Sequence, residues 1–181
     1  MGAKRSGLLL VLLIICPALA PAQVTPADPQ APDIIVERYR AGLAHFKAGR
    51  YAEALGCFEQ LIESNPDWGA AHGSLCATYI RLRKYDEAIR SCQQAIRLEP
   101  DSPAAYYNMG GAYADLGRYD EAVDSLRRSI RLRPDSPEAH NDLGAIRFRQ
   151  GRHAEAVGSF AEAIRLRPDF REPHGNLGMA Y

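Results

Sequence analysis

Residues 103–136 carry two apolar stripes with the spacing of an α-helix. In the first half, large apolar residues and one glycine recur in three- and four-residue steps, at Tyr106, Met109, Gly110 and Tyr113. The second half has its stripe at Ala122, Val123, Leu126, Ser129 and Ile130. Gly117 separates the stripes and Pro134 follows the second, and both residue types end helices. This segment therefore predicts two helices that pack as a hairpin.

The same pattern recurs every 34 residues along most of the chain. The prolines that close each unit keep this step, at Pro66, Pro100, Pro134 and Pro168. The alanines near the start of each second helix also keep it, at Ala54, Ala88, Ala122 and Ala156. One hairpin cannot bury both sides of its apolar surface, so it needs copies of itself as neighbours. We predict an all-α fold, an α-solenoid of tandem helix–turn–helix units.

This period, with small residues at fixed positions, resembles the tetratricopeptide repeat family. Residues 103–136 match the family pattern best. The next unit matches almost as well, although Arg147 stands where an aromatic residue is expected, and in the preceding unit Arg83 replaces the glycine between the helices. The resemblance implies four repeats and the first helix of a fifth, at 35–68, 69–102, 103–136, 137–170 and 171–181.

Residues 1–22 are typical of a secretory signal peptide. Lys4 and Arg5 precede an apolar run at 8–15, and the small residues Ala20 and Ala22 suit a cleavage site. We expect cleavage after Ala22 and a secreted or periplasmic mature chain. The alternative is an uncleaved membrane anchor, but the apolar run is shorter than the roughly 20 residues that a spanning helix needs.

Residues 23–34 are polar and contain three prolines, so we predict a linker that is not helical. The whole chain has 22 basic and 22 acidic residues, and loss of residues 1–22 removes two basic residues and leaves a formal charge of −2. A nearly neutral chain does not favour nucleic acid or an anionic membrane as a partner. We therefore expect a protein or peptide partner, no nucleic acid, and no membrane contact after signal cleavage.

The sequence carries no motif typical of catalysis. It has no His-Glu-x-x-His pair, no phosphate-binding glycine loop and no Cys-x-x-Cys. His72, His140 and His174 share one repeat position, which is typical of residues that pack between repeats. We predict that the chain is not an enzyme and binds no cofactor and no metal.

An oxidising destination would allow the cysteines at 57, 76 and 92 to form disulfides. Cys76 and Cys92 occupy facing positions of one hairpin and are therefore the candidate pair. The alternative, which the sequence favours, is two buried thiols that pack as small hydrophobic residues. Cys57 stays outside this pair in both cases.

The resemblance implies that the first helices line a concave groove that binds a polypeptide, including an extended peptide. Two other functions stay open: the non-catalytic N-terminal region of a larger enzyme, such as a glycosyltransferase, and a scaffold that assembles by stacking on itself. After Leu177 and Tyr181 no second helix follows in the sequence. We expect either a fragment of a longer protein or a last helix that serves as a cap or as an edge for self-association.

The candidate peptide-binding residues are the sixth residues of the repeats, Ser74, Asn108, Asp142 and Asn176. Each lies one step away from the packing stripe and should face the groove. The pattern is similar to the asparagine ladder of the O-linked N-acetylglucosamine transferases, in which amides hold the backbone of an extended peptide. An amide suits this task because it both donates and accepts hydrogen bonds. The alternative is that these polar residues only keep the groove soluble.

The ladder has departures from the family pattern. Arg40 stands at the sixth position of the first repeat, Ser74 has a shorter reach, and an ionised Asp142 only accepts. A carboxylate clamp, as in the chaperone-binding relatives, is not expected, because Glu138 and Asp142 stand where basic residues would be needed.

Overall fold

The computed structural model describes residues 31–180, with side chains for residues 34–177. These residues form nine helices and no strand: α1 (Ala31–Lys47), α2 (Tyr51–Ser64), α3 (Gly69–Arg81), α4 (Tyr85–Leu98), α5 (Pro103–Asp115), α6 (Tyr119–Leu132), α7 (Pro137–Arg149), α8 (His153–Leu166) and α9 (Arg171–Ala180). The predicted all-α solenoid is confirmed. The predicted signal peptide lies outside the described residues, as does most of the predicted linker.

The last four residues of the predicted linker are helical, contrary to the prediction. Helix α1 begins at Ala31, so Pro32 lies in its first turn. The first backbone N–H groups of a helix have no acceptor inside it, so a proline costs nothing there. Only prolines further inside a helix break it, and α1 has none.

Each hairpin turns through one residue in the left-handed region of backbone conformation. In three hairpins this residue is a glycine with φ of 74° or 75°, at Gly49, Gly117 and Gly151. Glycine adopts this conformation without steric cost because it has no Cβ atom. In the remaining hairpin, Arg83 adopts it with φ of 59°. The same turn is therefore made at all four positions, once by a strained residue.

Within three hairpins, a glycine of the first helix packs against a large apolar side chain of the second. A Cβ atom on Gly42 or Gly144 would lie 2.6 Å from the ring of Phe58 or Phe160, respectively, and one on Gly110 would lie 2.9 Å from Leu126. The side chains of Phe58 and Phe160 are fully buried at these contacts. The close approach of the two helices therefore requires the glycine.

Neighbouring hairpins stack so that their first helices are closer together than their second helices. Consecutive first helices are in contact throughout the series α1, α3, α5, α7 and α9, whereas among the described second helices α2, α4, α6 and α8 no such contact is found. A stack whose members approach on one side only is curved toward that side. The first helices thus form the inner face of the solenoid and the second helices its outer face.

Among the described residues, no helix is both long enough and apolar enough to cross a membrane.

Candidate functional site

The four candidate ladder residues lie half-buried on the first helices, and three of them are already hydrogen-bonded within the protein. The hydroxyl groups of Tyr39 and Ser74 lie 3.1 Å apart. Tyr107 donates from its hydroxyl to Asp142 Oδ2 at 2.7 Å. Asn176 donates from Nδ2 to Asn141 Oδ1 at 3.1 Å. These bonds join α1 to α3, α5 to α7 and α7 to α9.

The three bonds share one register that sequence reasoning missed. In each pair the fifth residue of one repeat contacts the sixth residue of the next, which is a separation of 35 residues. Polar side chains at both positions were the available signal, since tyrosine or asparagine recurs at the fifth position. The predicted ladder is therefore in large part an internal set of hydrogen bonds between repeats.

Asn108 is the exception among the four. The fifth residue of the preceding repeat is Gly73, which has no side chain to offer. No hydrogen bond from the Asn108 amide to any described residue is found, and this amide is half-buried on α5. The donor and the acceptor of the Asn108 amide are therefore not used within the described part of the chain.

Small residues surround Asn108 on the inner face. Ala104 lies four residues before it and Gly111 three residues after it, so all three share one face of α5. Cβ atoms placed on Gly111 or on Gly73 would meet nothing within 4 Å. The inner face is thus open at this point, with room for another backbone to approach the Asn108 amide.

The neighbouring pair Tyr107–Asp142 differs from Asn108 because both of its side chains are titratable and hydrogen-bonded to each other. Burial raises the pKa of the Asp142 carboxyl, although hydrogen bonds from Tyr107 and Asn141 act against this shift. Burial likewise raises the pKa of the Tyr107 hydroxyl, and the charges of Asp142, Glu138 and Glu172 add to the shift. Burial and the neighbouring acidic side chains thus raise the pKa of both members of this pair.

Cys76 and Cys92 form a disulfide between α3 and α4. Both residues are fully buried. The interpretation as two separate thiols, which the sequence favours, is wrong in this structure. Their Cα atoms lie 5.2 Å apart because Cys76 occupies the position that glycine holds in the other hairpins, where the helices approach closely.

The three histidines at one repeat position serve the turns between hairpins. The Nε2 atoms of His72, His140 and His174 each bond the backbone carbonyl of the proline six residues earlier, at 2.8, 3.0 and 3.0 Å. A carbonyl only accepts, so Nε2 carries the proton in each case. Within residues 34–177, no group of three His, Cys, Asp or Glu side chains is arranged to hold a metal ion.

Comparisons with solved structures reveal several solenoids of the same form. A crystal structure of MamA aligns with a TM-score of 0.72 and 25% identity over 77% of this chain and 82% of that chain. The first TPR of Spaghetti (RPAP3), solved with the HSP90 peptide SRMEEVD, aligns with a TM-score of 0.63 and 27% identity over 65% of this chain and 93% of that one. The APC/C hetero-tetramer Cut9–Hcn1 shares the fold, with a TM-score of 0.76 and 19% identity over 81% of this chain and 30% of that chain.

No curated protein matches the chain in sequence. Family models described as tetratricopeptide repeat match it at residues 37–68, 78–137 and 112–169. These matches confirm the resemblance that the 34-residue period indicates. The chain belongs to the tetratricopeptide repeat family, whose fold is generally a non-catalytic scaffold for protein interaction.

Proposed function

We propose that this chain is an exported, non-catalytic module that binds an extended polypeptide along its inner face, with Asn108 as the central contact. The single observation that carries the proposal is the Asn108 amide, which has no partner among the described residues and lies beside the open position at Gly73. An amide that donates and accepts can pair with both polar groups of one peptide unit. The small residues around it would let a peptide main chain come within hydrogen-bonding distance.

The proposed contact differs from a ladder of four equal members. Ser74, Asp142 and Asn176 would have to give up bonds between repeats to bind a peptide, whereas Asn108 would not. Each such exchange returns little free energy, because one hydrogen bond replaces another. We therefore expect Asn108 to contribute most of the backbone recognition.

The charge of the inner face constrains the peptide. RPAP3 was solved with the acidic peptide SRMEEVD. In this chain the inner side of α7 and α9 carries Asp142 and Glu172, and beside them Glu138, which is paired with Arg167. Like charges repel across a groove, so a neutral or basic peptide suits this chain better than an acidic one.

The binding face can be tested by photo-crosslinking in the native cell envelope. A photoreactive residue at Ala104, which is exposed on the same face as Asn108, should capture the partner, whereas one at Ala52, exposed on α2 of the outer face, should not. The substitution Asn108→Ala should weaken binding of a peptide mapped from the captured partner by about 1 kcal/mol or more. Equal capture from both positions, or unchanged affinity after Asn108→Ala, would contradict the proposal.

A steric block provides a matched pair of variants. Gly111→Leu would place a large side chain in the open space beside Asn108, and its Cβ atom meets nothing within 4 Å. Gly56→Leu makes the same change on the second helix α2, again in open space. Both should fold and gain helix propensity. Only Gly111→Leu should abolish peptide binding.

Export rests on the pattern of residues 1–22 and is supported by the buried disulfide, which suits an oxidising compartment. N-terminal sequencing of the native protein should give a chain that begins at Gln23. An intact Met1 on protein recovered from the cytoplasm would rule out cleavage at this site.

A further inference from the structure

A cleft of about 640 Å³ opens on the outer face of the solenoid, between the second helices α6 and α8. Helix α7 lies at its base and contributes Leu143, beside Ile130 of α6. The inner face is built from first helices, so this outer cleft is a separate surface from the one proposed to bind an extended peptide.

Three arginines line the outer cleft. Arg127 and Arg131 are exposed and lie four residues apart, on one side of α6. Neither forms an ion pair or a hydrogen bond with a side chain among the described residues. Arg147 lies deeper, with 14% of its side chain exposed. Its Nη1 donates to Ser159 Oγ at 2.7 Å, which holds the guanidinium in place.

The acidic residues of the cleft are already paired with other arginines. Arg152 holds Glu155 through two hydrogen bonds of 2.6 and 2.8 Å, and Arg165 holds Glu162 through two of 2.8 and 2.7 Å. Glu155 also lies 3.5 Å from Arg147 Nε, which has no hydrogen-bond partner among the described residues. The charges left without a partner in the cleft are therefore the cations of α6.

The remaining titratable group that lines the cleft is His140. Its Nε2 atom bonds the carbonyl of Pro134, so this nitrogen faces the backbone and not the cleft. The surface available to a ligand thus consists of free arginine side chains over an apolar base.

Two of the residues that line the outer cleft differ from their equivalents in the preceding repeat. Arg147 stands where the preceding repeat has Tyr113, and Gly158 stands where it has Asp124. Gly158 lines the cleft, and a Cβ atom placed on it would meet nothing within 4 Å. The fourth repeat therefore has a cation in place of an aromatic ring deep in the cleft, and no acidic side chain at Gly158.

We propose that the outer cleft binds an acidic segment of a polypeptide, with carboxylates on Arg127 and Arg131 and an apolar side chain against Leu143 and Ile130. Guanidinium groups suit carboxylates because they offer parallel N–H donors in a planar fork. A bare inorganic anion would leave the apolar base unused. A chain that carries glutamate or aspartate beside leucine would satisfy both parts.

The direct test uses two matched probes on the purified chain. One is a short fluorescein-labelled peptide of alternating leucine and glutamate, and the other has glutamine at every glutamate position. Fluorescence anisotropy at low salt should show binding of the acidic peptide about tenfold tighter than of the neutral one, with a loss on addition of salt. Equal binding of the two peptides, or no binding of the acidic one, would overturn the proposal.

Matched variants locate the binding to the cleft. Gly158→Asp should weaken the acidic peptide about tenfold, whereas Gly158→Ala should leave it unchanged, because only the first adds a competing carboxylate. The pair Arg127→Gln and Arg131→Gln should also weaken it about tenfold. The exposed arginines Arg90 and Arg149 lie outside the cleft, and their double change to glutamine alters net charge equally but should have no comparable effect. Wild-type affinity in both cleft variants would place the peptide elsewhere.

Discussion

The hairpins α3–α4 and α7–α8 have helices of equal length but hold them together in different ways. In α7–α8, Gly144 of the first helix admits the ring of Phe160, which is 1% exposed. In α3–α4 the same two positions are Cys76 and Cys92, joined by a disulfide. The hairpin α7–α8 is therefore stabilised by apolar burial, and α3–α4 by a covalent bond between two small side chains.

The same two hairpins also differ in the residue that makes the turn between their helices. Gly151 makes the turn of α7–α8 without strain, whereas Arg83 makes the turn of α3–α4 in a conformation that costs an ordinary residue free energy. The hairpin with the poorer turn and the smaller core residues is the one that carries the disulfide. The comparison indicates that the repeat geometry is fixed by the stack as a whole, and that each hairpin reaches it with its own chemistry.

The largest effect is expected from removal of the ring that fills α7–α8. Phe160→Ala should lower the free energy of unfolding by about 4 kcal/mol, because a buried aromatic side chain leaves a cavity. Urea unfolding followed by circular dichroism measures the change. Ala161→Ser, on the exposed neighbour, should stay within about 0.5 kcal/mol of the wild type. A loss below about 1 kcal/mol for Phe160→Ala would show that its packing is not what holds this hairpin.

Reduction of the Cys76–Cys92 disulfide comes next. The bond closes a loop over a sequence separation of 16 residues, and loss of such a constraint on the unfolded chain costs about 3 kcal/mol. Urea unfolding with and without dithiothreitol should show this difference in the wild type. The double change Cys76→Ala and Cys92→Ala should remove the response to the reductant.

The presence of the bond in the native protein can be measured directly. Trypsin without reduction should release a peptide containing Cys92 that is linked to the peptide containing Cys76. A separate, alkylated Cys92 peptide from the native protein would show that the thiols are not joined.

A methyl group on Gly144 is expected to cost less than either change above. The added Cβ atom would lie 2.6 Å from Phe160 Cε1, so the helices must separate or the ring must shift, at a cost of about 2 kcal/mol. Gly158→Ala on the outer face meets no neighbour and should be neutral or slightly stabilising. Urea unfolding of the two variants side by side separates the packing cost from helix propensity. Equal stability of both would mean that α7 and α8 can move apart freely.

The sequence predicts the helices well because each repeat carries the same pattern of apolar and helix-ending residues. Apolar stripes and closing prolines recur every 34 residues, the turn glycine recurs in three of the four hairpins, and each of these features follows from local physical chemistry. The start of α1 is missed because Pro32 is unfavourable in a helix interior but not in a first turn. Helices are thus predictable here from short-range rules.

The candidate site is predictable only in part, because its outcome depends on contacts between repeats. The positions of Ser74, Asn108 and Asp142 on the first helices follow from the repeat register. Which of them is hydrogen-bonded depends on the fifth residue of the preceding repeat, and Gly73 alone leaves its neighbour Asn108 without a bond. The outer cleft forms only where three helices pack together, and the sequence of no single helix indicates it.

The smallest effect is expected at the turn of α3–α4. Arg83→Gly should raise the free energy of unfolding by about 0.5 kcal/mol, because release of left-handed strain of about 1 kcal/mol is offset in part by the greater freedom of glycine in the unfolded chain. Arg83 is exposed, so loss of its side chain should remove little packing. Urea unfolding of this variant is best compared with the reverse change, Gly151→Arg, which places the strained residue in α7–α8 and should destabilise it by about 1 kcal/mol. If both changes shifted the free energy of unfolding in the same direction, the two turns would not be equivalent. The difference between the hairpins would then lie in their side chains alone.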